Sequence, residues 1–404
     1  MQFTIDRDQF TAALAWVARA LPVQGIDPIL NGILIEADSS GQVGLSAYDR
    51  DTSASTTTHA DVATAGRALV SGTLLATIAK LLPNKPITLS LAGVEVTLAC
   101  GAAVFTLPTL PIADYPALPA LPPYCGEVNA AEFAAALRQV VPAASTDATA
   151  MNVYGVQIEI SRDEPLRIVG TDRFRLALRC LPWQPTSEID TEADTDQPDT
   201  VAVRVDARQL EAIAKQMASA GGTIRLSTTP DAALLGLADG SRRATLAAIA
   251  VPYPDYRHFL AQEPGFTASV PVAALSEAIK RAAVFTERGP QNRGAQIRLK
   301  FTATELEVTA GFHDTGRGQE TLPIQFDGEE LEMAFNPGYL LDALGATRTP
   351  DAQILVREPH KAVFVHPLTG GQPEDHYQHL VMPIRLPDVP PGPAHHSGLP
   401  GKAA

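Results

Sequence analysis

Cysteine is scarce: only Cys100, Cys125 and Cys180 occur in 404 residues. They lie far apart without metal-ligand spacing, so a disulfide framework is not expected and a reducing, cytoplasmic setting is. Long apolar runs are missing too. No stretch approaches the eighteen residues of a membrane span, and Met1-Gln2-Phe3-Thr4-Ile5-Asp6 opens directly in strand-like alternation, so neither a membrane helix nor a signal peptide is expected. Cations are outnumbered, 31 Lys and Arg against 45 Asp and Glu, for a net charge of −14. That balance argues against whole-surface nucleic-acid binding but leaves room for a local basic face.

The motifs of common catalysts are absent as well: no Walker loop, G-x-G-x-x-G, H-E-x-x-H, G-x-S-x-G or C-x-x-C. The expectation is a non-catalytic protein with no cofactor and no metal. His360, His366, His376 and His379 cluster in sequence and offer a zinc-enzyme alternative, which lacks ligand partners at the usual spacing. Asp49, Asp51, Asp172 and Asp255 sit near turns and read as turn-stabilising acids.

What is present is repetition. Helical spacing links Phe10, Leu14, Val17 and Leu21, then Leu74, Leu75, Ile78 and Leu82 behind Ser71 as a candidate N-cap. Asn129 with Glu132 starts a third helix through Phe133, Leu137 and Val140, and Asp206 with Gln209 a fourth through Leu210, Ile213 and Met217. Pro271 begins a fifth with Leu275 and Ile279, and Asn336-Pro337 a sixth with Leu340, Leu341 and Leu344. The starts recur roughly every 58 to 77 residues, and strand-like runs such as 32–36, 156–160 and 296–301 follow alternate helices. Pro111-Ile112-Ala113-Asp114-Tyr115-Pro116 is echoed by Val251-Pro252-Tyr253-Pro254-Asp255-Tyr256.

These echoes predict an α+β chain of three repeated domains, 1–124, 125–264 and 265–386, each with two helix-plus-sheet units. The acidic run 188–196 reads as a solvated insertion. Residues 387–404, with five prolines and three glycines, read as a disordered tail.

The stretch from Val169 to Pro182 reads as strand, tight turn and strand. Gly170-Thr171-Asp172 supplies the turn, and Phe174, Leu176 and Leu178 alternate with Arg173, Arg175 and Arg179. Helix-associated cations form a second pattern: Arg7, Arg19, Lys80, Lys85, Arg138, Arg208, Lys215, Lys280, Arg281, Arg288 and Arg348. Six equivalent helices facing one space would make it positive, suited to phosphate backbones without base reading.

Three repeats, Thr171-Asp172-Arg173-Phe174-Arg175-Leu176, Tyr253-Pro254-Asp255-Tyr256-Arg257 and Val381-Met382-Pro383-Ile384-Arg385-Leu386 together resemble the β sliding clamps of bacterial DNA polymerase III, across residues 1–386. The resemblance implies a head-to-tail homodimer closed around duplex DNA, helices inside and sheets outside, acting as a processivity factor. It implies an interface of Phe105 and Leu107 against Ala274 and Leu275 of a partner. It also implies a hydrophobic pocket between the second and third domains for peptides of polymerase subunits, the clamp loader and other partners. The matching positions are Val153, Thr171, Arg173, Phe174, Arg175, Leu176, Pro254, His258, Phe259, Ala362, Leu380, Met382, Pro383, Ile384 and Arg385.

The chain departs from the family pattern at Val23-Gln24-Gly25, Thr73 and 146–150, which lack expected cations. Two roles follow from the resemblance: the main replicative clamp, or a divergent second clamp that protects replication from a pocket-binding antibiotic.

Overall fold

The computed structural model describes residues 1–22, 27–186, 200–260, 265–286, 296–312 and 316–385. The acidic run, Arg288, Leu386 and the proposed tail lie outside them.

Polar caps start most of the helices. Asp6 accepts the N–H groups of Asp8 and Gln9 ahead of α1 (Arg7–Val17), and Asn129 those of Ala131 and Glu132 ahead of α3 (Ala130–Val140). Asp206 caps α4 (Ala207–Ala218) through Gln209 N–H, and Asn336 caps α7 (Pro337–Thr347). Each such cap is worth about 1 kcal/mol. Ser71, the candidate cap of α2 (Gly72–Leu81), makes no side-chain cap bond: it is the last residue of a strand and pairs with Gly32. The remaining helices are a single turn, α5 (Arg257–Leu260), and α6 (Val272–Ala283), which Pro271 precedes from the N-cap position.

The strands of the first third are β1 (Gln2–Ile5), β2 (Gly32–Ala37), β3 (Gln42–Tyr48), β4 (Thr52–His59), β5 (Asp61–Thr64) and β6 (Gly66–Ser71). They continue as β7 (Ile87–Ala92), β8 (Glu95–Cys100) and β9 (Ala103–Leu110). The middle third holds β10 (Tyr124–Asn129), β11 (Val156–Ser161), β12 (Leu166–Thr171), β13 (Arg175–Leu181) and β14 (Gln184–Pro185). It ends with β15 (Thr200–Val205), β16 (Thr223–Thr228), β17 (Leu234–Asp239) and β18 (Arg242–Ala247). The last third has β19 (Phe266–Pro271), β20 (Ile297–Phe301), β21 (Glu305–Phe312), β22 (Gly316–Pro323) and β23 (Gln325–Phe326). It closes with β24 (Leu331–Phe335), β25 (Asp351–Val356), β26 (Val363–Thr369), β27 (Gln372–Pro373) and β28 (Tyr377–Val381). The same order of helices and antiparallel ladders thus recurs three times.

Two compact units carry these elements, Met1–Asp255 and the chain from Tyr256 onward. In the first, a 14-stranded sheet runs β14-β10-β16-β17-β18-β4-β3-β2-β6-β9-β8-β7-β1-β5, and β15-β11-β12-β13 form a second ladder. The first two repeats share one unit because β18 pairs with β4, Ala244 opposite Ala54 and Thr245 opposite Ser53. The hydroxyls of Ser53 and Thr245 bond at 2.6 Å.

Arg242 locks this junction. Its guanidinium lies 5.3 Å over the ring of Trp16 in α1, donates to the carbonyls of Gln216 and Met217 at the end of α4, and pairs with Asp239 at 2.5 Å. Trp16 is buried and donates to Ser55 O at 2.9 Å.

In the second unit, the 4-stranded sheet β22-β21-β20-β24 and the ladder β28-β26-β25-β19-β23 pack α6 and α7. Leu275, Ile279, Phe301, Met333, Phe335 and Leu340 centre that core.

Candidate peptide-binding and DNA-facing surfaces

The turn after β12 is built by one carboxylate. Asp172 Oδ1 accepts the N–H groups of Phe174 (3.0 Å) and Arg175 (3.1 Å), and Oδ2 pairs with Arg175 Nε at 2.9 Å. Thr171 Oγ1 donates to Arg175 O at 2.7 Å and accepts Arg173 N–H at 3.2 Å. Arg173 itself adopts φ 81°, a left-handed conformation costly for a residue with a Cβ, so the bonds on either side over-determine it. The turn therefore falls at 172–174. Gly170 belongs to β12, where a Cβ would meet Val140 and Ala144 at 3.0–3.1 Å. Phe174, expected on the buried face with Leu176 and Leu178, is instead 57% exposed, because it sits at the turn rather than in the strand.

The first repeat contains the same device. Asp49 Oδ1 accepts from Asp51 N (3.0 Å) and Thr52 N (2.6 Å), and Arg50 has φ 84°. Burial raises the Asp49 carboxyl above its ordinary pKa, against its backbone donors.

Around the Asp172 turn the first unit gathers its candidate residues. Arg173 donates to Asn152 Oδ1 at 2.9 Å, which ties the turn to the loop holding buried Val153. Arg204 is buried, donates to the carbonyls of Asn152 and Val251, and lies 5.3 Å over Tyr253. Burial depresses this guanidinium and pushes the Tyr253 phenol well up. Pro254 follows that anchored tyrosine. Sequence reasoning missed Arg204; its one signal was an arginine inside the apolar run 201–205.

The second unit holds the other members. His258 and Phe259 lie on α5 with ring centroids 3.8 Å apart, and Phe259 is 52% exposed. Leu380 is buried in β28, opposite Phe364. Met382 is 38% exposed, Pro383 and Ala362 are half-buried, and Arg385 is exposed. Ile384 bridges to Ala334, its N–H 2.7 Å from that carbonyl. Each unit thus presents an apolar group edged by arginine or histidine.

The expected DNA-facing cations differ in how free they are. Arg7 pairs with Asp8 at 2.7 Å. Arg19 and Lys80 line one concavity between α1 and α2, and Arg19 also donates to Gln216 Oε1. Lys80, Arg208 and Lys215 are exposed and Arg138 half-buried. In the second unit Lys280 is held by Glu277 at 2.8 Å and Arg281 by Glu320 at 2.7 Å. Arg348 caps α7 in a left-handed conformation.

Of the four expected interface residues, Phe105 is exposed and Ala274 half-buried, whereas Leu107 and Leu275 are each 1% exposed within their own units. Those two leucines serve their own cores in the single chain. Three of the four histidines of the zinc alternative have separate contacts: His379 bonds Tyr377 at 2.8 Å, His366 stacks on Phe364, and His360 lies 3.2 Å from Glu358. No group of three or more His, Cys, Asp or Glu among the described residues could hold a metal ion. No helix among them is long and apolar enough to cross a membrane.

Comparison with known proteins agrees along the chain. Residues 1–119, 127–255 and 257–385 match the N-terminal, central and C-terminal domains of the DNA polymerase III beta subunit. The beta sliding clamp of Streptomyces coelicolor is 36% identical, covering 96% of this chain and all of its own. The beta sliding clamp homolog GriR of Streptomyces muensis is 32% identical over the same shares. The fold matches a Pseudomonas aeruginosa clamp solved with griselimycin, at TM-score 0.86 and 23% identity over 96% of this chain and 100% of that one. A Bacillus subtilis clamp matches at TM-score 0.84 and 22% identity, over 96% and 99%. By its three successive domains and its identity to full-length relatives, the chain belongs to the β sliding clamp family of bacterial DNA polymerase III.

Proposed function

We propose that the chain acts as a non-catalytic processivity factor: a head-to-tail homodimer that encircles duplex DNA and tethers replication proteins by their peptides. One observation carries the ring. Strand β18 closes the second repeat and pairs with β4 of the first. The strand in the place of β18 in the first repeat is β9, and the strand in the place of β4 in the third is β22. Both are open: β6 covers only Leu69 and Val70 opposite Leu110 and Thr109 of β9, and β22 pairs with β21 alone among the described residues. Two copies joined β9 to β22 repeat the internal junction and satisfy both edges. Sedimentation of the wild-type protein tests this: a monomer at micromolar concentration overturns it.

The DNA contact is electrostatic and topological. Replacing Arg138, Arg208 and Lys215 together is expected to shorten residence on circular DNA, with affinity falling steeply as salt rises. Lys280 and Arg281 already carry carboxylate partners, so they contribute less.

For peptide tethering, the residues around the Asp172 turn and those around Met382 are each proposed as contacts. A polymerase-derived peptide is expected to lose about 1–3 kcal/mol on Met382→Ala if that residue is an anchor. Unchanged affinity for that variant removes Met382 from the site.

The second reading, a divergent clamp that spares replication from a pocket-binding antibiotic, rests on the GriR relative. The higher identity to the Streptomyces coelicolor clamp favours the main role. Calorimetry with griselimycin separates the two, since tight binding argues for an ordinary pocket.

A further inference from the structure

The outer sheet faces of the three repeats, turned away from the helices, can be compared position by position. Ile33 opposite Val70, Val156 opposite Val205 and Ile297 opposite Phe335 hold the same place in their ladders. In the second repeat this face is filled. Glu159 is 2% exposed, accepts from Gln157 at 2.8 Å and lies 3.9 Å from Arg167, while Val169 and Leu178 are buried beside it. In the third repeat crossed ion pairs cover it, Lys300 with Glu330 at 2.7 Å and Arg298 with Glu332 at 3.3 Å.

The first repeat is different. Where the second has Arg167, Val169, Leu178 and Cys180, the matching positions are Gly44, Ser46, Ser55 and Thr57. Losing that side-chain volume leaves a cavity of about 530 Å³. Leu34, Tyr115 and Leu118 wall one side, and the turn from Gly240 to Arg243 the other. A second concavity of about 360 Å³ shares Glu36, Gly44, Thr57 and Arg67 with it, so the two form one elongated trough.

Two features say what fits. The trough is long and open, and its apolar wall is an extension of the cluster of Leu34, Leu69 and Tyr115. On charge, Arg67 is neutralised by Glu36 at 2.7 Å, but Arg243 is exposed and makes no ion pair among the described residues.

We propose that this trough docks an extended peptide of a partner protein in which an aliphatic residue neighbours a carboxylate. The aliphatic side chain lies against Leu34, Tyr115 and Leu118, and the carboxylate meets Arg243. This surface is separate from the peptide contacts proposed above and stands whether or not those bind.

The test uses the full chain and an array of hexapeptides pairing Leu, Ile or Val with Asp or Glu, each beside its Asn or Gln counterpart. Acidic members are expected to bind and to slow hydrogen exchange at 42–59 and 112–118. Arg243→Ala should weaken them about fivefold and leave the amide counterparts unchanged. Gly44→Arg, which restores the side chain found in the second repeat, should weaken all of them about tenfold. The backbone accepts that substitution, since the nearest atom to a Cβ there is Glu36 O at 3.8 Å. Absence of binding across the array, indifference to Gly44→Arg, or protection confined to 171–176 and 380–385 overturns the proposal.

Discussion

The junction inside the first unit and the two open strand edges occupy the same places in the repeat, yet they are made of different chemistry. At the junction Ala244 faces Ala54 and Thr245 faces Ser53, small residues joined by a hydroxyl pair and clamped by Arg242. At the open edge of β9 the residue in the place of Ala244 is Phe105, with Val104 before it, 36% and 63% exposed. On β22 the ring of Phe285 covers Gly318, where a Cβ would lie 2.7 Å from it. Chain connectivity brings β18 to β4 at high effective concentration, so that joint needs register more than affinity. The proposed joint between two chains would have to offset lost translational and rotational freedom, which the exposed apolar side chains of β9 suit.

The sharpest way to break the comparison is to strike the inner joint. Trp16→Ala removes a buried ring that packs α1 and receives Arg242, and is expected to cost about 3–5 kcal/mol, read as a lower unfolding midpoint. A loss below about 1 kcal/mol would mean that the junction does not depend on this clamp.

At the outer joint Phe105→Asp places a charge in the proposed interface. It is expected to loosen the dimer on the order of a hundredfold while leaving the unfolding midpoint of the monomer nearly unchanged. Sedimentation equilibrium reads the first effect and calorimetry the second. A dimer of unaltered strength would remove β9 from the interface.

The twin turns give a finer comparison. Asp49→Ala and Asp172→Ala each delete a carboxylate that accepts two backbone N–H groups, so each is expected to cost about 1–2 kcal/mol of stability. Only Asp172→Ala should also weaken a polymerase-derived peptide, because it frees Arg175 and disturbs Arg173 and Phe174. Equal loss of peptide binding in both variants would contradict a role for the second turn alone.

The smallest effect concerns acid. Burial holds the His366 imidazole below its ordinary pKa, so the folded protein keeps it neutral where the unfolded chain, at about 6.5, takes up a proton. Stability is therefore expected to decline as pH falls below about 6.5, until the lower folded value is reached. His366→Gln should flatten the decline of the unfolding midpoint between about pH 7 and pH 5.5. An unchanged slope would assign the acid sensitivity to other groups.

Much of this was legible in the chain itself. Asp6, Asn129, Asp206 and Asn336 start helices for reasons contained within a few residues, and the recurrence of those starts exposed the threefold repeat. The Thr171-to-Leu176 motif pointed to the right turn, although not to its geometry. Ser71 resembled a cap and was claimed by the ladder with Gly32, and Phe174 resembled a core residue and fell at the turn. Ser71 lost to a strand partner distant in sequence, and Phe174 to the turn built by Asp172 two residues before it.

The chain alone therefore determined the family, the repeat and the helix caps, because each depends on short-range chemistry or on a motif carried whole. Tertiary structure decided what depends on residues far apart. It placed Arg242 over Trp16, buried Leu107 and Leu275 within their own units, and neutralised Lys280 and Arg281. It also hollowed the first outer face where Gly44, Ser46, Ser55 and Thr57 line up across neighbouring strands. Along the chain they read only as two pairs, each two residues apart on one strand; the pairing of β2, β3 and β4 sets the pairs side by side.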